Sequence, residues 1–222
     1  MAKTALVLGA SGLVGSHCLQ LLLDNAAYDK IIVWLRKPLP VQHAKLQQEI
    51  INFDQLSPYA DKLKYVQEIF CCLGTTIKKA GSPEAFYKVD FTYPHEIAKL
   101  AAQNGVQQFL IVTALGANSR SSIFYNRVKG DIETALGKLS LPGLQIFRPS
   151  LLLGERQEFR LGERIGAIVF TALSFAFFGR LRRYRAIEAS VVAEAMIRIA
   201  QKNLTEVNIF ESEKIQALTA DR

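Results

Sequence analysis

Seven residues near the start, Gly9-Ala10-Ser11-Gly12-Leu13-Val14-Gly15, constrain the fold of this chain more than any other stretch. They follow an apolar run at residues 4–8 and open a helical pattern at residues 13–23. A strand that runs into glycines and then a helix leaves free N–H groups at the helix start, where the helix dipole is positive. A diphosphate is held there when no side chain blocks its approach. Gly9 allows the tight turn, Gly12 lets a ligand come close to the backbone, and Gly15 lets the helix pack on the strand. The spacing is Gly-x-x-Gly-x-x-Gly rather than Gly-x-Gly-x-x-Gly.

The rest of the chain repeats the alternation. Apolar, β-branched runs at residues 31–35, 50–53, 68–73, 109–113, 144–147 and 207–210 read as strands. Residues 94–103, 124–136 and 191–201 read as helices, the first with Gly105 in the stop position. Short buried strands alternating with helices predict an α/β fold, a doubly wound parallel sheet of the Rossmann type. A length of 222 residues with 50% apolar and 21% charged residues suits one globular domain. Residues 1–222 are therefore expected to form a single NAD(P)-binding domain, with residues 150–222 as a small C-terminal extension on the substrate side.

The remaining composition narrows the setting. The chain begins Met-Ala-Lys-Thr and enters its first strand pattern at once, so no secretion signal is expected. Cys18, Cys71 and Cys72 are odd in number and two are adjacent, unlike a disulfide framework. With His17, His43 and His95 they show no zinc-ligand spacing, so no metal is expected. The expected location is cytoplasmic. The net charge of +7 suits a phosphate-bearing ligand, an anionic lipid or nucleic acid alike. No recognition helix, zinc finger or aromatic ribonucleoprotein motif is present, so no nucleic acid partner is expected.

Two further positions carry chemistry. NAD sites place a carboxylate at the end of the second strand to hold the ribose hydroxyls. Here that position reads Trp34-Leu35-Arg36-Lys37. A guanidinium can hold a 2′-phosphate in a bidentate pair, so NADP(H) is favoured over NAD(H). Tyr125 and Lys129 lie four apart, on one face of a helix. A nearby ammonium favours the phenolate, and such a pair can give or take a proton as hydride moves to or from a carbonyl carbon.

These residues resemble the short-chain dehydrogenase/reductase superfamily in its atypical branch, and more closely the Tat-interacting-protein family of small oxidoreductase-like proteins. The segments that carry the resemblance are residues 9–15, Phe53-Asp54-Gln55-Leu56, Cys71-Cys72-Leu73-Gly74-Thr75-Thr76, Lys79-Ala80-Gly81, Val89-Asp90, Gly116-Ala117, residues 125–130 and Phe147-Arg148-Pro149 running to Gly154. They span almost the whole chain. The resemblance implies that Gly9, Ser11, Gly12, Leu13 and Val14 hold the diphosphate, Arg36 and Lys37 the adenosine phosphate, and that Asp54 faces adenine. Leu73, Gly74 and Thr75 would line the adenosine ribose side. Tyr125 and Lys129 would face the nicotinamide ribose, with Pro149 near the nicotinamide. The superfamily normally carries a serine after the fifth strand, where this chain reads Val112-Thr113-Ala114. Thr113 would then bind the substrate oxygen, with Ser119, Ser121 and Ser122 nearby as substitutes.

Residues 165–178 form a nearly unbroken apolar run, followed by Arg180, Arg182, Arg183 and Arg185. Fourteen residues fall short of the roughly 20 that a membrane span needs. The run is expected to pack over the sheet or across a homodimer contact; a membrane-surface segment and an active-site lid are the alternatives. The leading reading is an NADP(H)-dependent oxidoreductase acting on a small carbonyl or alcohol. The competing reading is a non-catalytic, redox-responsive NADP(H)-binding regulator or scaffold for a protein partner.

Overall fold

The computed structural model describes residues 2–154 and 185–220. In chain order the elements are β1 (Lys3–Leu8), α1 (Leu13–Leu23), β2 (Tyr28–Leu35), β3 (Leu46–Ile50), a 3-10 helix (Ser57–Leu63), β4 (Glu68–Cys71), α2 (Ile77–Ala80), α3 (Pro83–Tyr87), a π-helical turn (Lys88–Thr92), α4 (Tyr93–Gln103), β5 (Gln108–Val112), α5 (Phe124–Leu136), β6 (Gly143–Arg148), β7 (Leu152–Leu153), β8 (Ile187–Glu188), α6 (Ala189–Gln201), β9 (Glu206–Glu211) and α7 (Ser212–Ala217).

Seven strands form one parallel sheet in the order β3-β2-β1-β4-β5-β6-β9, and β7 pairs with β8 beside it. The chain leaves β1 towards β2 and returns to the other side of β1 with β4. The order therefore reverses at the C-terminal ends of β1 and β4, the place where doubly wound sheets bind ligands.

Alternation along each strand builds a core on each face of the sheet. Ala5 and Val7 face α1 and α6, where Cys18, Leu22, Val192 and Met196 are buried. Leu6 and Leu8 face the opposite side, against Ile97 and Ala101 of α4 and Ile132 and Leu136 of α5. Central strands are buried on both faces, so β5 (Gln108–Val112) is apolar from Phe109 onward, and the buried Gln108 amide at its start donates to the Leu204 carbonyl at 2.7 Å. At the far end of the sheet from the switch point, Glu68 is buried and accepts from Lys3 Nζ at 2.5 Å and from the Tyr28 hydroxyl at 2.5 Å.

One strand is displaced from the sequence reading. The third strand is Leu46–Ile50, not residues 50–53. It is an edge strand and tolerates Gln47, Gln48 and Glu49, and the Gln48 amide closes the preceding loop through Leu39 and Val41. Ile51 and Phe53 are apolar because they enter the α4 side of the core just past the strand end. The stretch read as a small extension contributes to the main sheet: β9 pairs with β6, and α6 packs on α1. The apolar run at 165–178 and Arg180, Arg182 and Arg183 lie outside the described residues; Arg185 is exposed. Among the described residues, no helix is long and apolar enough to cross a membrane.

Candidate functional site

At the end of β1 the chain turns through Gly9, whose φ of +75° is in the left-handed region. A Cβ there would lie 2.5 Å from the Cys72 carbonyl oxygen, so this turn is pressed against the loop that follows β4. The Gly12 N–H closes the turn on the Gly9 carbonyl at 2.8 Å. Gly12 then begins α1 with no side-chain cap and no acidic residue in the first turn. A Cβ at Gly15 would fall 2.1 Å from the Gly9 oxygen, so the helix starts directly on the turn. Ser11 and Gly12 are exposed, Leu13 is half-buried and Val14 is buried. Gly154, beyond β7, lies against Leu13: a Cβ there would be 2.8 Å from Leu13 Cδ1. An uncapped, acid-free helix start fits a diphosphate.

Arg36 and Lys37 are exposed immediately after β2. That strand pairs with β1 up to Trp34 beside Leu8, so the two cations leave the sheet next to the glycine turn. Asp54 is exposed as well. Its Oδ1 accepts from Lys88 Nζ at 2.7 Å and from the Tyr93 hydroxyl at 2.7 Å. The Lys88 ammonium, and after it Tyr93, hold the Asp54 carboxyl below the usual carboxylate range.

The loop after β4 leads from the glycine turn to the lysine. Leu73 and Thr75 are half-buried and Gly74 is exposed. A Cβ on Gly74 would lie 3.5 Å from Asp90 Oδ1 and 3.7 Å from Lys129 Nζ. Lys129 is buried in α5, with its ammonium 2.7 Å from Asp90 Oδ1. Asp90 Oδ2 accepts from the Thr75 N–H at 2.9 Å. Burial pushes Lys129 towards its neutral form; the Asp90 carboxylate, helped by Tyr125 and Cys71, outweighs this and raises its pKa above the ordinary lysine value. Tyr125, one turn earlier on α5, is half-buried with its ring against Phe86.

Thr113 is placed differently. It is 5% exposed, and its hydroxyl lies 2.6 Å from Glu133 Oε1 and 3.3 Å from the Phe147 carbonyl. A hydroxyl has one proton, and Glu133, a strong acceptor, takes it. Thr113 therefore has no proton to donate to a substrate oxygen in this arrangement. Glu133 is also gripped by Arg148, whose Nη2 lies 2.5 Å from Oε2 and whose Nε donates to both oxygens. Pro149 follows, buried, with its carbonyl accepting from the Leu115 N–H at 2.8 Å. The loop carrying Ser119 crosses α5 at Gly130, where a Cβ would fall 2.1 Å from Ser119 N. The Ser121 hydroxyl accepts from the Ile123 N–H and so holds the start of α5.

The structure thus brings the glycine turn, residues 73–75 and Lys129 to one end of the sheet, keeps Asp54 with α4, and puts Thr113 into a separate network. The sequence reading missed Asp90 and Glu133 as partners. Val89-Asp90 stood out in the sequence only as part of the family resemblance, which named no partner for the carboxylate.

Comparison with known proteins agrees with this geometry. The profile of the NAD dependent epimerase/dehydratase family matches residues 5–214. Protein HTATIP2 of Rattus norvegicus is 32% identical over 227 residues, covering 99% of this chain and 90% of its own. Protein fmp52, mitochondrial, of Aspergillus clavatus is 33% identical over 227 residues, covering 99% of this chain and 95% of its own. Among solved structures, MoeE5 in complex with UDP-glucose and NAD superposes with a TM-score of 0.69 at 15% identity, over 98% of this chain and 81% of that one. WbmH of Bordetella bronchiseptica in complex with NAD+ gives 0.71 at 16%, over 96% and 76%. At such identities the structures establish the fold. The sequence relatives bear out the resemblance drawn from the motifs. They also correct the expectation of a purely cytoplasmic location, because several fungal relatives are named as mitochondrial proteins. The cysteine pattern bears on the secretory route and does not separate cytoplasm from an organelle interior.

Proposed function

The chain belongs to the NAD dependent epimerase/dehydratase family, and from that premise we propose that it is a single-domain NADP(H)-dependent oxidoreductase for a small carbonyl or alcohol. One observation carries the proposal: a buried, carboxylate-paired Lys129 lies beside Gly74, one helical turn from Tyr125, at the sheet end where α1 starts uncapped. Gly9, Ser11, Gly12, Leu13 and Val14 would hold the diphosphate through backbone N–H groups. Leu73, Gly74 and Thr75 would line the adenosine ribose, Asp54 would face adenine, and Pro149 would back the nicotinamide. When bound, the dinucleotide supplies or accepts the hydride. Lys129 would donate to the nicotinamide ribose, and Tyr125 would pass a proton to or from the substrate oxygen.

The preference for NADP(H) rests on Arg36 and Lys37, which leave β2 exposed and without a neighbouring carboxylate in residues 34–37. The similar solved structures are complexes with NAD, so cofactor choice is this chain's own property to test. Arg36→Glu is expected to weaken NADPH binding far more than NADH binding in calorimetric titrations. Equal losses for the two would remove Arg36 from the 2′-phosphate.

Thr113 favours the second reading. Its proton goes to Glu133 and Ala114 has no hydroxyl, so the step that fixes a substrate oxygen lacks its expected donor. A regulator or scaffold that binds NADP(H) and turns nothing over needs no such donor. NADPH oxidation measured against aldehydes and ketones separates the two: binding without turnover favours the regulator.

A further inference from the structure

We infer that Asp90 is a positioning residue that keeps Lys129 charged and fixes it against the 73–75 turn. Two segments of the proposed dinucleotide site are thereby set by a single carboxylate. The inference rests on the dinucleotide reading above and names a residue which that reading does not use.

The geometry is two-sided. One oxygen of Asp90 meets Lys129 Nζ at 2.7 Å, and the other accepts from the Thr75 N–H at 2.9 Å. The Asp90 side chain is fully buried, so neither contact is shared with bulk water. Its backbone belongs to the π-helical turn Lys88–Thr92, inserted between α3 and α4. Such turns are rare and occur mostly at functional sites. A buried ion pair is also a poor device for stability alone, since apolar residues of similar volume often serve as well or better.

The charge balance sets a specific expectation. Lys129 is faced by Asp90 from the π turn, by Tyr125 from its own helix and by the Cys71 thiol from β4. Burial pushes the Cys71 thiol up to about 12, so it stays neutral at ordinary pH. With Asp90 neutralised, burial would act on Lys129 without its main counter-charge, and the ammonium would give up its proton at a lower pH. A neutral amine is a weaker donor to a ribose hydroxyl, and the loss of a charge-assisted hydrogen bond is worth about tenfold or more in affinity.

The test is the pH dependence of NADPH binding, followed by calorimetry from about pH 7 to 9.5 in wild type, D90N, K129M and D90N/K129M, with folding checked by circular dichroism. Relative to wild type, D90N is expected to bind within threefold at pH 7 and to weaken about tenfold or more by pH 9.5. K129M and the double variant should show no such additional fall, and the fall should persist when Y125F is added to D90N. A loss that is uniform across pH, or that survives in D90N/K129M, would reduce Asp90 to a structural role and overturn the inference. Should D90N not fold, Asp90→Ser replaces it; failure of both to fold also decides for a structural role. Wild type that binds neither NADPH nor NADH defeats the dinucleotide reading itself. Wild type that binds, with D90N tracking it at every pH, defeats this inference alone.

Discussion

Replacing Gly9 with alanine allows two physical costs to be measured apart, because the molecule contains its own control. Gly9 and Gly105 share a φ of +75°. A Cβ at Gly105 meets nothing within 4 Å, whereas one at Gly9 falls 2.5 Å from Cys72 O, 2.7 Å from Cys72 C and 3.0 Å from Leu73 N. The left-handed conformation costs an alanine about 1–2 kcal/mol at either position. At Gly9 the overlap adds about 1–3 kcal/mol, the usual scale of overpacking, and the obstructing atoms are backbone that cannot rotate aside. For a chain of this size, at about 2–4 °C per kcal/mol, Gly9→Ala should unfold roughly 2–12 °C below Gly105→Ala. Thermal unfolding by circular dichroism measures the difference. NADPH titration supplies a second readout: Gly105→Ala, at the opposite end of the sheet, should bind as wild type does. Gly9→Ala should bind more weakly, because the glycine turn and the 72–73 loop must move apart. Equal melting temperatures with unchanged affinity would show that these two segments are not pressed together, and the geometric argument for the site would fail.

Three other outcomes are expected. Tyr125→Phe should slow any turnover found with a carbonyl substrate by roughly 10²–10⁴-fold, and a loss below threefold would sink its assignment as proton donor. Arg148→Leu should cost about 3–5 kcal/mol in urea unfolding, because it strands the buried Glu133 carboxylate, and Arg148→Leu/Glu133→Leu should recover most of that; a single-variant loss under about 1 kcal/mol would refute the pairing. The Cys71 thiol is raised by burial to about 12, so its contribution is fully present below the unfolded thiol pKa, near 8.5, and is lost as pH rises towards 12. Stability should therefore fall between about pH 9 and 12, and Cys71→Ala should flatten that fall; an identical slope in both proteins would remove Cys71 as the cause.

Much of the fold was legible because it is written in local patterns. The runs at residues 4–8, 68–73 and 109–113 fall on central strands, where burial on both faces demands apolar side chains and leaves periodicity little freedom. The glycine turn was legible for a related reason: contacts at 2.1 Å and 2.5 Å exclude a Cβ at Gly15 and Gly9, so the sequence records the close approach directly. The third strand was displaced because an edge strand escapes this demand. Its polar Gln47, Gln48 and Glu49 carry no strand signature, while Ile51 and Phe53 beyond it are apolar for the sake of the α4 side of the core.

What escaped the sequence is where each polar group sends its proton. Thr113 has the same local neighbours whether its hydroxyl faces a substrate or the interior. The choice is made by Glu133, 20 positions away on the next helix, and by Arg148 beyond it on β6. Lys129 is similar: its spacing from Tyr125 is visible along one helix, but its charge is set by Asp90 in a different helical segment, at 2.7 Å. Spacing along a chain can therefore nominate the residues of a site of this kind. Their protonation depends on contacts between elements that meet only after folding, because a buried charge takes its stability from its partner and not from its neighbours in sequence. The pH dependence of binding in D90N, more than the presence of Tyr125 and Lys129 four residues apart, is accordingly the measurement that separates a poised dinucleotide site from a helix that happens to carry both residues.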